Sequence, residues 1–350
     1  MKKIKVLIVE DSLVVRELLK HIVGSDSRFD LVAAVDSAEE ALSLLDTLQP
    51  DVISLDIRLP GMNGLDATLQ IMARRPTPIV VVAANVDDDE LNIAMNALRA
   101  GALAVVEKPV GVTNAAFEGM ASRLCTQLAI MSQVRVVPQR ISRGLSFGTA
   151  EAPVRPRRSA DGYSVLGIVS STGGPQALTQ VLGGLGAGFP IPVLLVQHIT
   201  ASFLEGFVSW LSSVTPFKVK IACNEEVPVA GTVYVPPADR HMILRDGRLW
   251  VTDAPPVSSQ RPSGSVLLAS VAQDAGKRAI GVILTGMGSD GAEGMAAMMK
   301  AGAHTIAEHE STCVVYGMPA AAAKLGAARE MVPLGDIAGR VKRLVTGEGA

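Results

Sequence analysis

Residues 4–11 read IKVLIVED, an apolar run that stops at two adjacent carboxylates, Glu10 and Asp11. A short β-branched run that ends abruptly at polar residues reads as a strand buried on both faces, the condition of strands in a parallel sheet. Four similar runs follow: LVAAV (31–35), DVISLD (51–56), IVVVAA (79–84) and LAVVEK (103–108), with helical stretches between them. After Asp11, Ser12 stands where it caps a helix in which Val15, Leu18, Leu19 and Ile22 form one stripe. The expected fold is α/β, beginning with a (βα)5 parallel sheet whose strand-to-helix turns carry the polar residues.

From about Met131 to Gly162 the periodicity fades, and SQVRVVPQRISRGLSFGTAEAPVRPRRSADG carries six Arg against Glu151 and Asp161. This reads as a linker, either a solvated tether or a docking strip for an acidic surface. Strand patterns resume at SVLGIVS, PVLLVQ, FKVKIA, TVYV and AIGVIL, with helical stretches beginning near Pro175, Ser202, Gly264 and Gly291. A second, doubly wound and mostly parallel α/β domain is therefore expected. Within it, HMILRDGRLWV places Asp246-Gly247 between two apolar-rich arms, which predicts an antiparallel hairpin at a corner of this sheet. The predicted boundaries are 1–123 for the first domain, 124–160 for the linker and 161–348 for the second.

The 350 residues suffice for two cores, and a formal net charge of −2 offers no field to hold nucleic acid or an anionic membrane. Aromatic residues are 3% of the chain, too few for base-stacking platforms, so nucleic-acid binding is not expected. Mean hydropathy is high at +0.33. Yet Lys5 and Pro192 break the longest apolar runs, and none approaches the roughly 18 residues a spanning helix needs. The start MKKIKVLIVED is too short in its apolar part for a signal peptide, so a cytoplasmic protein without membrane insertion is expected. Cys125, Cys223 and Cys313 are distant from one another and lack CxxC spacing, which predicts buried, reduced thiols.

Glu10 and Asp11 end the first predicted strand and Asp56 ends the third, so a parallel sheet gathers these carboxylates at one carboxyl edge. Such a group is tolerable around a hard divalent cation, with magnesium suited to oxygen donors and retained water. Lys108, held by Pro109 after the fifth strand, reaches the same edge as a counter-charge. A carboxylate beside a metal and a lysine can accept a phosphoryl group. The stretches VEDS, DIRLPGMNG and EKP resemble a response-regulator receiver domain over roughly residues 1–123. The resemblance implies Asp56 as phosphoacceptor, with a histidine kinase as phosphodonor. It also implies Mg2+ on Glu10, Asp11 and Asp56 with help from the backbone near Arg58, and Lys108 against the phosphoryl oxygens. Two positions depart from the family pattern. Ala83 replaces the Ser or Thr that tracks the phosphoryl group, and Val105 replaces an aromatic that changes rotamer. Phosphorylation is expected to survive, and its coupling to output to be weak or rerouted.

The segment GIVSSTGGPQAL passes from a strand through Ser171-Thr172-Gly173-Gly174 into a helix with Pro175 in its first turn. Its flexible turn and free N–H groups suit a phosphate or an oxyanion. Neither a Walker lysine nor a GxGxxG fingerprint is present, which argues against a nucleotide-binding module. A hydroxyl nucleophile needs a base and a group that orients the base. His198 follows PVLLVQ, and Asp290 lies in LTGMGSDG beyond AIGVIL, so both are expected at the carboxyl edge that carries Ser171.

The segments STGGP, VQH, YVPPADRH, LTGMGSDG and CVVYGMP, in this order after a receiver, resemble chemotaxis-type protein-glutamate methylesterases over nearly the whole chain. The resemblance implies Ser171 as nucleophile, His198 as general base and then acid, and Asp290 as orienting carboxylate. Backbone N–H groups at Thr172 and Met287 would form the oxyanion hole. The implied reaction hydrolyses γ-glutamyl methyl esters on cytoplasmic helices of methylated chemoreceptors, releasing methanol, with receptor-glutamine deamidation as a second activity. No cofactor is expected for this step. Val169 and Ser170 depart from a glycine and a small residue before the nucleophile, and Ser170 adds a rival hydroxyl. Ser265, Leu268, Glu308 and His309 also depart from the pattern. His241 either borders the cleft or bonds nearby backbone. A signalling adaptor that binds its partner without turnover is the alternative reading.

Overall fold

Strand β1 (Ile4–Val9) is buried from Val6 to Val9, as a strand covered by helices on both faces must be. The computed structural model describes residues 2–83, 88–109, 114–134, 136 and 162–347. The chain divides into two compact units, Met1–Ser146 and Phe147–Ala350. In the first, β1 is followed by α1 (Leu13–Ser25), β2 (Phe29–Val35), α2 (Ala38–Leu48), β3 (Val52–Asp56) and α3 (Gly64–Arg74). Then come β4 (Ile79–Ala83), α4 (Asp88–Arg99), β5 (Ala104–Glu107) and α5 (Asn114–Met131). All five predicted strands form one parallel sheet in the order β2-β1-β3-β4-β5. The order reverses between β1 and β3, opening a crevice at their carboxyl ends.

Two local expectations are corrected. Ser12 occupies the N-cap position of α1, but its side chain makes no capping bond; its N–H instead donates to Glu10 Oε1 at 3.3 Å. The buried stripe of α1 is Val15, Leu19, Ile22 and Val23, with Leu18 only half-buried. Helix α5 continues beyond residue 123 to Met131, and residues 137–161, most of the expected linker, lie outside the described residues.

The second unit opens with β6 (Val165–Ser170), α6 (Gly174–Leu185), β7 (Val193–Gln197), α7 (Leu204–Val214), β8 (Lys218–Ile221) and β9 (Thr232–Val235). It continues with β10 (His241–Arg245), β11 (Arg248–Thr252), α8 (Gly264–Ala275), β12 (Ala279–Ile283) and α9 (Ala292–Lys300). It closes with β13 (His304–Glu308), α10 (Met318–Lys324), β14 (Glu330–Val332) and α11 (Leu334–Thr346). Seven strands form a parallel sheet, β14-β13-β12-β6-β7-β9-β8. The chain winds outward from β6 through β7, then returns to build β12, β13 and β14 on the other side. Its switch point lies between β6 and β12.

The predicted hairpin forms, with Asp246 and Gly247 at φ 54° and 70°, both in the left-handed region that a two-residue turn of this kind requires. It is not a corner of the large sheet, because β10 and β11 pair as a separate two-stranded sheet. The sequence pattern missed β13, β14, the short alanine-rich α10, and α11, whose buried stripe of Ile337, Ala338, Val341 and Val345 is nonetheless spaced as in an amphipathic helix. The cysteines are free as expected, but only Cys125 is buried; Cys313 is half-buried and Cys223 exposed. No described helix is long and apolar enough to cross a membrane.

Candidate active site

Strands β12, β6 and β7 are adjacent, and their carboxyl ends are stitched together by backbone bonds. His198 N–H donates to Ser170 O at 3.0 Å, Leu284 N–H to Val169 O at 2.9 Å, and Ser171 N–H to Thr285 O at 3.1 Å. The three segments that carry Ser171, His198 and Asp290 thus meet at the switch point, where open α/β sheets bind ligands. Ser171 follows β6 and enters α6 through Gly173, whose φ of 77° serves as the N-cap conformation. At Gly174, an added Cβ would collide with the Gln197 side-chain oxygen and lie 2.9 Å from Ser170 Cβ. Glycine there is a steric requirement of the turn.

His198 Nε2 lies 2.8 Å from Asp290 Oδ2. Asp290 is buried and receives three further donors from one place, the start of α8. Ser263 Oγ donates to Oδ1 at 2.6 Å, Gly264 N–H to Oδ2 at 2.6 Å and Ser265 N–H to Oδ1 at 3.1 Å. Burial by itself raises the Asp290 carboxyl, but the bonds from His198 and Ser263, the electrostatic pull of the His198 ring and the Gly264 amide outweigh it and hold it at about 2. Asp290 is not the N-cap of the helix that follows it, since Gly291 takes that position with φ 90°. Its carboxylate instead closes the amino end of α8, where the helix dipole favours an anion. Ser171 Oγ makes no hydrogen bond among the described residues; nucleophile–base contacts commonly tighten only when substrate is bound.

The N–H groups of Thr172 and Met287 make no hydrogen bond to any described residue. The Thr172 carbonyl accepts from Thr285 Oγ1 at 3.0 Å, fixing that peptide. The Met287 loop is clamped by the CVVYGMP segment, through Gly286 N–H to Val315 O at 3.1 Å and Met318 N–H to Gly286 O at 2.8 Å. A Cβ at Gly286 would lie 2.7 Å from Ser171 Cβ, which places this loop directly against the Ser171 turn. A shallow depression of about 10 Å³ is lined by Gln197, Ile199, Leu204, Val235, Pro236 and Pro262 among others, and by none of Ser171, His198 and Asp290.

The departures from the family pattern have definite places. Ser170 is fully buried and spends its hydroxyl on Gln197 Oε1 at 2.7 Å, so it does not rival Ser171. Gln197 Nε2 in turn donates to the carbonyls of Ser171 and His198, at 2.9 Å each. Val169 fills the space left by two glycines, since a Cβ at Gly264 or Gly291 would press on its side chain. Ser265 Oγ accepts from Gly291 N–H at 2.8 Å and so braces the Asp290 turn. Leu268 lies in the core. Glu308 is buried, its Oε2 accepting from Thr285 N–H at 2.8 Å, and burial raises its carboxyl. The His309 ring bonds Ser311 Oγ at 2.9 Å. His241 does not line the cleft, being fully buried with both ring nitrogens on backbone groups. The sequence reading assigned nothing to Gln197 or Ser263; a serine just before a helix start is a capping signal that singles out Ser263.

In the first unit, Glu10, Asp11 and Asp56 bring one oxygen each to within 4.8 Å of one another. Lys108 Nζ lies 2.8 Å from Asp56 Oδ2 and 3.1 Å from Glu10 Oε2. Burial, then the Asp56 charge, pushes the Glu10 carboxyl up to about 7, and burial also raises Asp56 against the pull of Lys108. Burial lowers Lys108, but Asp56 and Glu10 outweigh it, so the ammonium is held charged. Three carboxylates against one ammonium leave an excess of negative charge on hard oxygen donors, a set that fits a divalent cation. The Lys108 N–H donates to Ala83 O at 2.9 Å, so at the end of β4, beside Lys108, the side chain is the methyl group of Ala83. Val105, half-buried on β5, lies opposite Val81.

A parallel sheet with an acidic cluster at its switch point, followed by a parallel α/β unit with a serine turn beside a His–Asp pair, defines the class of receiver-linked ester hydrolases. The family model of the response regulator receiver domain matches residues 6–115, and that of CheB methylesterase matches residues 166–341. The chain is 68% identical over 347 residues to protein-glutamate methylesterase/protein-glutamine glutaminase 2 of Paramagnetospirillum magneticum, covering 99% of both chains. A Myxococcus xanthus relative of the same description is 40% identical over 347 residues, covering 99% of this chain and 98% of its own. The Thermotoga maritima CheB methylesterase catalytic domain aligns at TM-score 0.50 and 33% identity, over 52% of this chain and 99% of that one. The chain belongs to the CheB methylesterase family, with a receiver domain at its amino end.

Proposed function

We propose that this chain is a receiver-controlled hydrolase that removes methyl esters from glutamyl residues of chemoreceptors and deamidates receptor glutamines. The reading rests above all on the His198–Asp290 pair at 2.8 Å, carried on strand ends bonded to the strand of Ser171. Ser171 Oγ attacks the ester carbonyl carbon as its proton passes to His198. With Nε2 engaged by Asp290, Nδ1 is the ring nitrogen that takes it. The tetrahedral oxyanion is met by the N–H groups of Thr172 and Met287, donors of a kind worth about 3 to 4 kcal/mol each. The proton then goes from His198 to the departing oxygen, methanol leaves, and water repeats the sequence on the acyl-enzyme. An amide substrate follows the same course with ammonia leaving. This chemistry needs no cofactor.

The receiver part, residues 1–123, is extended by α5 to Met131, and the catalytic part is residues 161–348. Asp56 is the phosphoacceptor, a histidine kinase the donor, and Lys108 the contact for phosphoryl oxygens. Mg2+ would be held by Glu10, Asp11 and Asp56, where it would neutralise charge on the transferring group. The place of action is the cytoplasm, on the cytoplasmic helices of methylated receptors. Purified protein should release methanol from methylated receptor, and Ser171→Ala should abolish the release. Equal release by both proteins would overturn the assignment, and binding without release by either would favour an adaptor.

A further inference from the structure

We propose that His241 is a positioning residue for ester hydrolysis, holding Ser263 so that the start of α8 orients Asp290 toward His198. The inference rests on the hydrolase reading above. His241 opens β10 and is fully buried, outside the large sheet. Its Nδ1 accepts the Ser263 N–H at 3.1 Å, and its Nε2 meets Pro255 O at 3.1 Å. An N–H only donates and a carbonyl only accepts, so the ring is the neutral tautomer with its hydrogen on Nε2. A second tie joins the same strand to α8, from Leu244 N–H to Ser270 Oγ at 3.0 Å.

Ser263 is the residue through which this ring acts. Its amide is held by His241, its hydroxyl donates to Asp290 Oδ1 at 2.6 Å, and the next two amides also donate to Asp290. The four bonds from Pro255 to His241, Ser263, Asp290 and His198 form one series, buried from His241 through Asp290. Each partner beyond His241 is locked in direction by the one before it. Asp290 sets the plane and tautomer of the catalytic imidazole, and a displacement of about 1 Å in such a group can lower turnover about a hundredfold. A merely space-filling histidine would not need its Nδ1 aimed at the one amide adjoining the Asp290 cradle.

The two ring nitrogens can be tested separately. His241→Asn keeps an acceptor near the position of Nδ1, while His241→Gln keeps a donor near that of Nε2. Methanol release by the full-length protein should show kcat falling about tenfold or more in His241→Gln relative to His241→Asn, with KM held within about twofold in both. Equal kcat in the two variants, or losses that follow Tm alone, would overturn the inference. Imidazole-labelled wild-type protein supplies a check that needs no variant to fold. NMR should find His241 with its proton on Nε2, and a proton on Nδ1 would overturn the inference as surely. Ser171→Ala run alongside separates the two readings: release that does not depend on Ser171 condemns the hydrolase assignment, whereas Ser171-dependent release indifferent to His241 condemns only this one.

Discussion

His198 turns Nε2, not Nδ1, toward Asp290, at 2.8 Å. Because the carboxylate accepts, Nε2 carries the hydrogen and Nδ1 is left bare to take a proton. In Asp290→Asn, an amide can present its NH2 to Nε2 and favour the tautomer with the hydrogen on Nδ1. The expected loss is about 10⁴-fold in kcat with the fold intact, the size seen when an orienting carboxylate is lost elsewhere. Stopped methanol assays on folded variant protein would measure it, and a loss under about tenfold would detach Asp290 from the chemistry.

Gly286 lies against the Ser171 turn. Ala at this position would bring a methyl to within 2.7 Å of Ser171 Cβ, closer than real carbon contacts allow, so one of the two segments must shift. We expect Gly286→Ala to lower kcat by about a hundredfold, and by more than it lowers Tm-derived stability. Gly188, where an added Cβ meets nothing within 4 Å, is the matched control, and its alanine variant should keep full activity.

Acid should weaken the second unit through Asp290. Its folded value of about 2 lies below the roughly 3.9 of an unfolded aspartate, so the unfolded chain takes up the proton first. The stabilisation is complete above about pH 5 and is lost as pH falls toward 2, on the order of 2 kcal/mol in all. Both tryptophans, Trp210 and Trp250, lie in this unit, so their fluorescence reports its urea unfolding. The stability gap between wild type and Asp290→Asn should shrink from pH 6 to pH 3; a constant gap would show that the carboxylate gains nothing from its donors.

The receiver should be chemically competent and poorly coupled. Acetyl phosphate with Mg2+ should label wild type but not Asp56→Asn, as read by intact mass. Methanol release should rise little on labelling, because Ala83 offers no hydroxyl beside Lys108, and Ala83→Ser should increase the stimulation. A large stimulation in wild type that Ala83→Ser leaves unchanged would show that the signal travels by another route.

The parts of this protein legible in its sequence are those set by neighbours along the chain. Apolar runs identified nine strands of the two parallel sheets, because an inner strand buried on both faces is apolar nearly throughout. The alternation of Lys218, Val219, Lys220 and Ile221 identified the edge strand β8. The strands' polar ends marked Glu10, Asp56, Ser171 and His198 as edge residues. β13 escaped because His304, Thr305 and Glu308 leave HTIAE without an apolar run although all five residues are buried, and β14 because EMV is only three residues long.

What tertiary structure alone decided is which polar group each side chain meets. The chain order shows two serines before TGG, and only the folded protein shows the Ser170 hydroxyl consumed by Gln197, 27 residues away. It offers Asp290 as a cap for the helix after it, whereas its carboxylate closes the helix before β12. It shows His241 as a loop histidine, whereas the ring is a buried brace on Ser263. Periodicity is a local property and survives in the one-dimensional string. A hydrogen bond is fixed by distance and direction between residues that strand order brings together, and that order is settled only when the two faces of each sheet are buried.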